Sequence, residues 1–197
     1  MTRTRVRRPP DEARRLILET AEKLLAEGGV AAVQVRTIAT RIGMTDAGIN
    51  HHFGNRDHLL QALLRHGGRK IRAGVQEVLE SWLDHGTDLS ELIHALAAFY
   101  RQGYGELAMA LHAAGWRDEG SGMLDPVVHA LHARRPNPAD VPIEDTRLAV
   151  AALHQALATE PLHGTAFRRS AGLTGPADAT PQLRWWTTHL TQSLGLR

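Results

Sequence analysis

A chain of 197 residues can bury a sizeable core, either as one medium domain or as a small domain joined to a larger one. It has no cysteine, which excludes a disulfide scaffold and thiolate chemistry, and no apolar run approaches the ~18 residues that a membrane span needs. The net charge of +2 hides an asymmetry: residues 1–72 hold 14 Lys and Arg against 7 Asp and Glu, while residues 73–197 hold 9 against 14, so only the front of the chain suits a polyanion.

The opening "MTRTRVRRPP" is basic, and no apolar stretch follows it as a secretory leader would require. Residues 1–10 are read as a disordered basic arm on a soluble, cytoplasmic protein with no membrane partner. Helical periodicity begins at Asp11. Ala13, Ile17, Ala21, Leu24 and Leu25 fall on one face, and Asp11 and Glu12 sit where the positive end of the helix dipole favours acids. Gly28-Gly29 is expected to end this helix. The link "VAAVQV" leads to a second helix over Arg36 to Ile42, stopped by Gly43. Thr45 is a good N-cap for a short third helix, Asp46 to His52. "FGN" breaks it, and Asn55 caps a fourth helix whose stripe is Leu59, Leu60, Leu63 and Leu64.

Gly67-Gly68 is expected to end or kink the fourth helix. Further helices are predicted over Ile71 to Asp84, Leu89 to Gln102, Glu106 to Ala114, Leu124 to Ala133, Ile143 to Glu160 and Pro181 to Leu194. The separators "HGTD", "GYG", "GWRDEGSG", "RRPNPADVP" and "PLHG…LTGPADA" are rich in Gly, Pro, Asp or Asn. No segment alternates with period two long enough for a strand, and no repeat is visible. The expected fold is all-α. A helix-turn-helix domain at residues 11–65 is followed by a larger helical bundle at 66–197.

The chemistry concentrates in "RIGMTDAGINHHFGNRD", Arg41 to Asp57. An acyltransfer reading needs His-His-x-x-x-Asp, but Arg56 holds the place of the acid and Asp57 arrives one residue late. A metal reading needs three or four converging ligands. His51 and His52 are adjacent on a helix and point about 100° apart, while His58 and His66 lie two turns apart. A helix-turn-helix fits better: a first helix, a tight turn at Gly43, and a capped second helix. Ile38, Ala39, Ile42, Ile49 and Phe53 supply contacts between the helices. Small Ala47 and Gly48 let the second helix approach DNA closely, and its N-terminus attracts phosphate.

The segment from Ile17 to Leu64 resembles the N-terminal domain of the TetR family of transcriptional regulators. An amphipathic helix ends in Gly; Val-Arg-x-Ile-Ala, Gly-x-Thr, His-His-Phe and a short polar cap then precede a Leu-rich helix. The resemblance implies DNA contacts from Thr45, Asp46, Ala47, Gly48, Asn50 and His51. It also implies contacts from Arg36 and Thr37 at the start of the second helix, and from Asn55 and Arg56, at a phosphate, at the start of the fourth. His52 and Phe53 are expected to pack or cap. Three positions depart from the family pattern. Asp46 replaces a frequent Lys and either favours the helix dipole or accepts from a cytosine amine. Asn50 replaces a phosphate-binding Tyr, and Gln34 replaces the usual Ser or Thr cap. Arg3, Arg5, Arg7 and Arg8 lie along the DNA backbone or in a minor groove, or form a solvated tail.

For the rest of the chain the resemblance implies a homodimer on palindromic double-stranded DNA, built from the last two helices. Ala149, Ala152, Leu153 and Ala156 on one, and Leu183, Trp186, Leu190 and Leu194 on the other, are the expected interface. "LHGTAFRRSAGL" resembles the loop before the last helix in some members. A pocket for an unidentified small-molecule effector would draw on Trp82, Phe99, Tyr100, Met109, His112, Trp116, His129 and His132. No catalytic residue, metal site or cofactor is expected. The reading is a repressor released by its ligand, with a ligand-dependent activator or a protein-binding adaptor as the alternative.

Overall fold

The computed structural model describes residues 9–85, 89–117, 122–175 and 178–196, apart from the side chains of 75, 78, 79 and 81–85. The expectations for Arg3, Arg5, Arg7, Arg8 and the Trp82 side chain lie outside these residues. Every regular element among the described residues is a helix, as the all-α reading requires. In chain order they are α1 (Pro10–Ala32), α2 (Val35–Ile42), α3 (Asp46–Phe53), α4 (Arg56–His85), α5 (Leu89–Phe99), α6 (Gly105–Ala113), α7 (Asp125–His132), α8 (Ile143–Ser170) and α9 (Thr180–Ser193). A π-helical turn over Tyr100–Tyr104 joins α5 to α6, and a 3₁₀ turn over Pro138–Asp140 precedes α8. None of the described helices is long and apolar enough to cross a membrane.

The chain forms two compact units that divide between His66 and Gly67. In the first, the predicted stripe of α1 is buried throughout, together with Val33, Ile38, Ile49, Leu59 and Leu63. Backbone geometry leaves the helix at Gly28 and Gly29 (φ 65°), where the predicted stop falls, and a further turn then leads to Ala32. Gly43 takes the left-handed conformation (φ 68°, ψ 33°) that ends α2, a conformation costly for any residue with a Cβ.

In the second unit Leu92, Ile93, Leu96, Val127, Leu131, Leu153 and Leu183 form one core. Two helix boundaries differ from expectation. α4 neither stops nor restarts at Gly67-Gly68 but runs unbroken to His85. Gly67 is there for proximity: a Cβ would lie 2.1 Å from the Tyr104 ring. α8 likewise continues through Pro161 to Ser170, so "LHGTAFRRSAGL" is largely helix rather than loop. Proline removes one backbone donor, but the following turns are held by side chains. The Arg168 guanidinium donates to Glu160 at 2.6 Å and to Gln182 of α9 at 2.9 Å. Gly164 makes this reach possible, because a Cβ there would lie 1.9 Å from the Glu160 carboxylate.

Candidate nucleic-acid interface

The turn between α2 and α3 sets the site. After Gly43 the chain is extended at Thr45 (φ −97°, ψ 156°), and the Thr45 hydroxyl accepts from the Gly48 N–H at 3.1 Å. This satisfies one of the donors left open in the first turn of a helix. A Cβ on Gly48 would press on that hydroxyl and on the Met44 methyl, both at 3.3 Å. Ile49 and Phe53 point into the core, so the opposite face of α3 presents Asp46, Ala47, Asn50 and His51 to solvent. Replacing Thr45 with alanine is expected to cost about 1 kcal/mol of stability in the first unit, read from chemical denaturation. An unchanged midpoint would show that the cap contributes nothing.

The far end of α3 is held by a residue that sequence reasoning missed. Arg14 of α1 donates to the His52 carbonyl, and its guanidinium lies 4.4 Å from the centre of the Phe53 ring. That contact satisfies an open carbonyl of the last helical turn and adds a cation–π attraction. Its partners are 38 and 39 residues away in sequence, beyond any local signal. The adjacent histidines part accordingly: His51 is exposed and His52 half-buried, with their rings edge-to-face at 5.5 Å. Burial, then His51 and Arg14, push the His52 pKa below the ordinary histidine value. The unfolded chain therefore takes up this proton first, and the contribution of His52 to stability is lost as pH falls below about 6.5.

At the start of α4, Asn55 Oδ1 accepts from the His58 N–H at 2.9 Å, which is the cap expected of it. Arg56, expected at a phosphate, also makes contacts within the protein. Its Nε donates to the Val33 carbonyl at 2.8 Å and its Nη2 to the Val30 carbonyl at 2.7 Å, tying α4 to the link between α1 and α2. Arg36 is exposed and Thr37 half-buried at the start of α2; with Gln34, Thr40 and Arg41 they line a shallow open depression. Gln34 makes no side-chain cap and instead donates to the Ala31 carbonyl at 2.9 Å. Arg41 grips both oxygens of Glu27, at 3.0 and 2.6 Å, and that bond holds the Glu27 carboxyl below its usual range.

The electrostatics of the described first unit are balanced. Residues 9–66 hold seven Lys and Arg (14, 15, 23, 36, 41, 56 and 65) and seven Asp and Glu (11, 12, 19, 22, 27, 46 and 57). The basic excess of the front half therefore comes from the arm and from Arg69, Lys70 and Arg72.

Within the second unit the effector candidates separate. Tyr100 is buried and its hydroxyl hydrogen-bonds with His154 Nε2, a partner that sequence reasoning missed. Burial raises the Tyr100 phenol and lowers the His154 imidazole, so both stay neutral. Phe99 stacks on Tyr104 at 4.3 Å. Met109 and Trp116 are half-buried, while His112 and His129 are exposed. His129 Nδ1 bonds the Asp125 carbonyl at 2.8 Å and His132 Nδ1 bonds the buried Thr146 hydroxyl at 3.1 Å, so each histidine already has an intramolecular partner. The interface candidates divide too. Leu153, Leu183, Leu190 and Leu194 are each 4% exposed or less and belong to the unit's own core, leaving them almost no surface to give a partner. Ala149, Ala156 and Trp186 are half-buried and Ala152 is exposed. The outer faces instead carry Leu148, Leu162 and Trp185, at 69%, 43% and 55% exposure.

The sequence model of the tetR family of bacterial regulatory proteins matches residues 17–63. An HTH-type transcriptional repressor of Mycobacterium tuberculosis is 34% identical over 89 residues, which cover 42% of this chain and 47% of that protein. An HTH-type transcriptional regulator of Mycobacterium bovis matches to the same extent. The chain thus spans about half the length of the curated relatives it matches. Among solved structures, one described as the molecular basis for control of antibiotic production by bacterial hormones superposes with a TM-score of 0.65 at 18% identity, over 93% of this chain and 97% of that one. BioQ of Mycobacterium smegmatis gives 0.54 at 22% identity, over 90% and 94%. The multidrug binding protein EbrR, complexed with imidazole, gives 0.54 at 23%, over 93% and 96%.

Proposed function

We propose, from the match of residues 17–63 to the tetR family model and the likeness to a mycobacterial HTH-type repressor, that the chain is a TetR-family dimeric transcriptional repressor, not an enzyme, that binds a palindromic operator and leaves it when a small molecule binds the second unit. One observation carries this reading: a helix capped by Thr45 and buried on its Ile49–Phe53 side offers Asp46, Ala47, Asn50 and His51 together on its free face. A helix of this kind fits the major groove, with its first turns at base edges. Arg36, Thr37 and the Asn55 side chain flank it as contacts to the DNA backbone.

Dimerisation follows from what one such helix can read. Two copies place two of them about 34 Å apart on one face of the duplex. The outward row Leu148, Ala152 and Leu162 on α8, with Trp185 on α9, is the apolar surface a second copy would cover. An effector acts by binding more tightly to the arrangement that does not fit DNA, with a coupling of roughly 1–3 kcal/mol. The ligand-bound EbrR structure and the neutral Tyr100–His154 pair support an effector site in the second unit. Operator binding sets the place of work as the cytoplasm.

The test is selection of sites from random duplex DNA by the purified chain, followed by a salt titration on the best site. An enriched palindrome with a steep salt slope is expected. Dimers that select no sequence, with or without candidate effectors, would favour the adaptor reading. Tighter binding in the presence of effector would favour the activator.

A further inference from the structure

The reading face is short of permanent positive charge. Seven cations and seven anions cancel over residues 9–66, and most of the cations are engaged within the unit. Arg41 is paired with Glu27, Arg15 with Glu19 at 2.8 Å, and Arg14 and Arg56 with backbone carbonyls. Around α3 the charged and titratable groups are Arg14 on α1, Arg36 and the Glu27-bound Arg41 on α2, Asp46 and His52 on α3 itself, and Arg56, Asp57 and His58 at the start of α4. Duplex DNA rewards cation–phosphate contacts above all else in affinity. What this face adds to Arg36 is imidazole: His51 is exposed beside Asn50, and His58 is exposed where α4 begins, its Nδ1 3.2 Å from where a Cβ on Gly54 would stand.

Resting on the DNA-binding reading above, we propose that operator binding is coupled to proton uptake, with His51 and His58 as the residues that become cations against the phosphate backbone. Histidine is the side chain whose ordinary pKa puts its charge change near neutrality. A phosphate beside the ring favours its charged form, so DNA and protons each promote binding of the other. His52 takes no part, since its ring is half-buried and its carbonyl is held by Arg14. The charge-balanced stretch of residues 9–66 would thus gain two charges on moderate acidification, beyond the fixed charge of Arg3, Arg5, Arg7 and Arg8, and report intracellular pH through occupancy of the operator.

The experiment measures binding of the full chain to its selected palindrome by fluorescence anisotropy, at about pH 6 and about pH 8, each across a range of salt. Affinity is expected to rise about tenfold or more on acidification, and the slope of log K against log salt to steepen by about 0.9 for each histidine charged. The His51→Gln, His58→Gln double variant is expected to lose most of this pH response. His51→Lys, which carries a fixed charge, is expected to hold the steep slope at the higher pH. Specific binding that is indifferent to pH, or a double variant with the wild-type response, overturns the proposal and leaves the regulator reading standing. Failure to bind any sequence at either pH overturns both.

Discussion

Replacing Gly105 with alanine is expected to destabilise the second unit by about 3 kcal/mol, a fall in melting temperature of roughly 6–12 °C. The reason is geometric. Gly105 is buried at the start of α6, and a Cβ there would lie 2.2 Å from the Ala158 carbonyl oxygen and 3.2 Å from its carbon. The obstacle is backbone in the middle of α8, not the end of a flexible side chain, so relief requires the two helices to separate. The gain from alanine's helix propensity, about 1 kcal/mol, does not offset this. Gly74→Ala in α4 is the matched control, since the space around that Cβ is open to 4 Å. It is expected to leave stability unchanged or raise it by about 0.5–1 kcal/mol. Thermal melts followed by circular dichroism decide the matter. A wild-type melt for Gly105→Ala would mean that α6 and α8 tolerate a wider spacing.

Arg56→Ala is expected to cost the first unit about 2–3 kcal/mol through loss of its bonds to Val30 and Val33. Arg56→Lys should recover little, because one ammonium cannot reproduce a guanidinium fork that spans two carbonyls. The DNA readout separates this role from the phosphate contact that the family resemblance implies. If Arg56 holds α4 against the α1–α2 link, the variant binds more weakly in proportion to its loss of folded protein, with the same salt slope. If Arg56 touches phosphate, stability is kept and the slope becomes shallower by about 0.9.

What was legible in the sequence was local. The Thr45 and Asn55 caps act on N–H groups three residues ahead, and the stops at Gly28-Gly29 and Gly43 are properties of single residues. Such features act through neighbours in the chain, which residue type and spacing can show. The exposed face of α3 follows from the burial of Ile49 and Phe53 on a helix of known pitch. What was missed depends on distant partners. The Gly67-Gly68 pair reads as a helix stop, yet Gly67 is explained only by the ring of Tyr104 pressed against it. Pro161 reads as a terminator, yet the Glu160–Arg168–Gln182 contacts carry α8 past it. Arg56 reads as a surface cation because its carbonyl acceptors lie 23 and 26 residues back. Leu183, Leu190 and Leu194 form a stripe that fits an interface or a core equally well, and only the packed structure assigns them to the core.

The π-helical turn at Tyr100–Tyr104 has a consequence for how this chain tolerates changes in length. Each residue added to or removed from a helix rotates everything beyond it by about 100°. The turn, broken at Gly103 (φ 92°), therefore fixes the rotational phase of α6 relative to α5. In that phase Leu107 and Leu111 enter the core and the half-buried Ala108 and exposed Ala110 do not. A single-residue deletion between positions 100 and 104 would exchange those faces, whereas the exposed stretch Pro136–Asp140 can absorb one without turning any core residue outward. Related chains should accordingly vary in length around the latter and keep a constant count across the former.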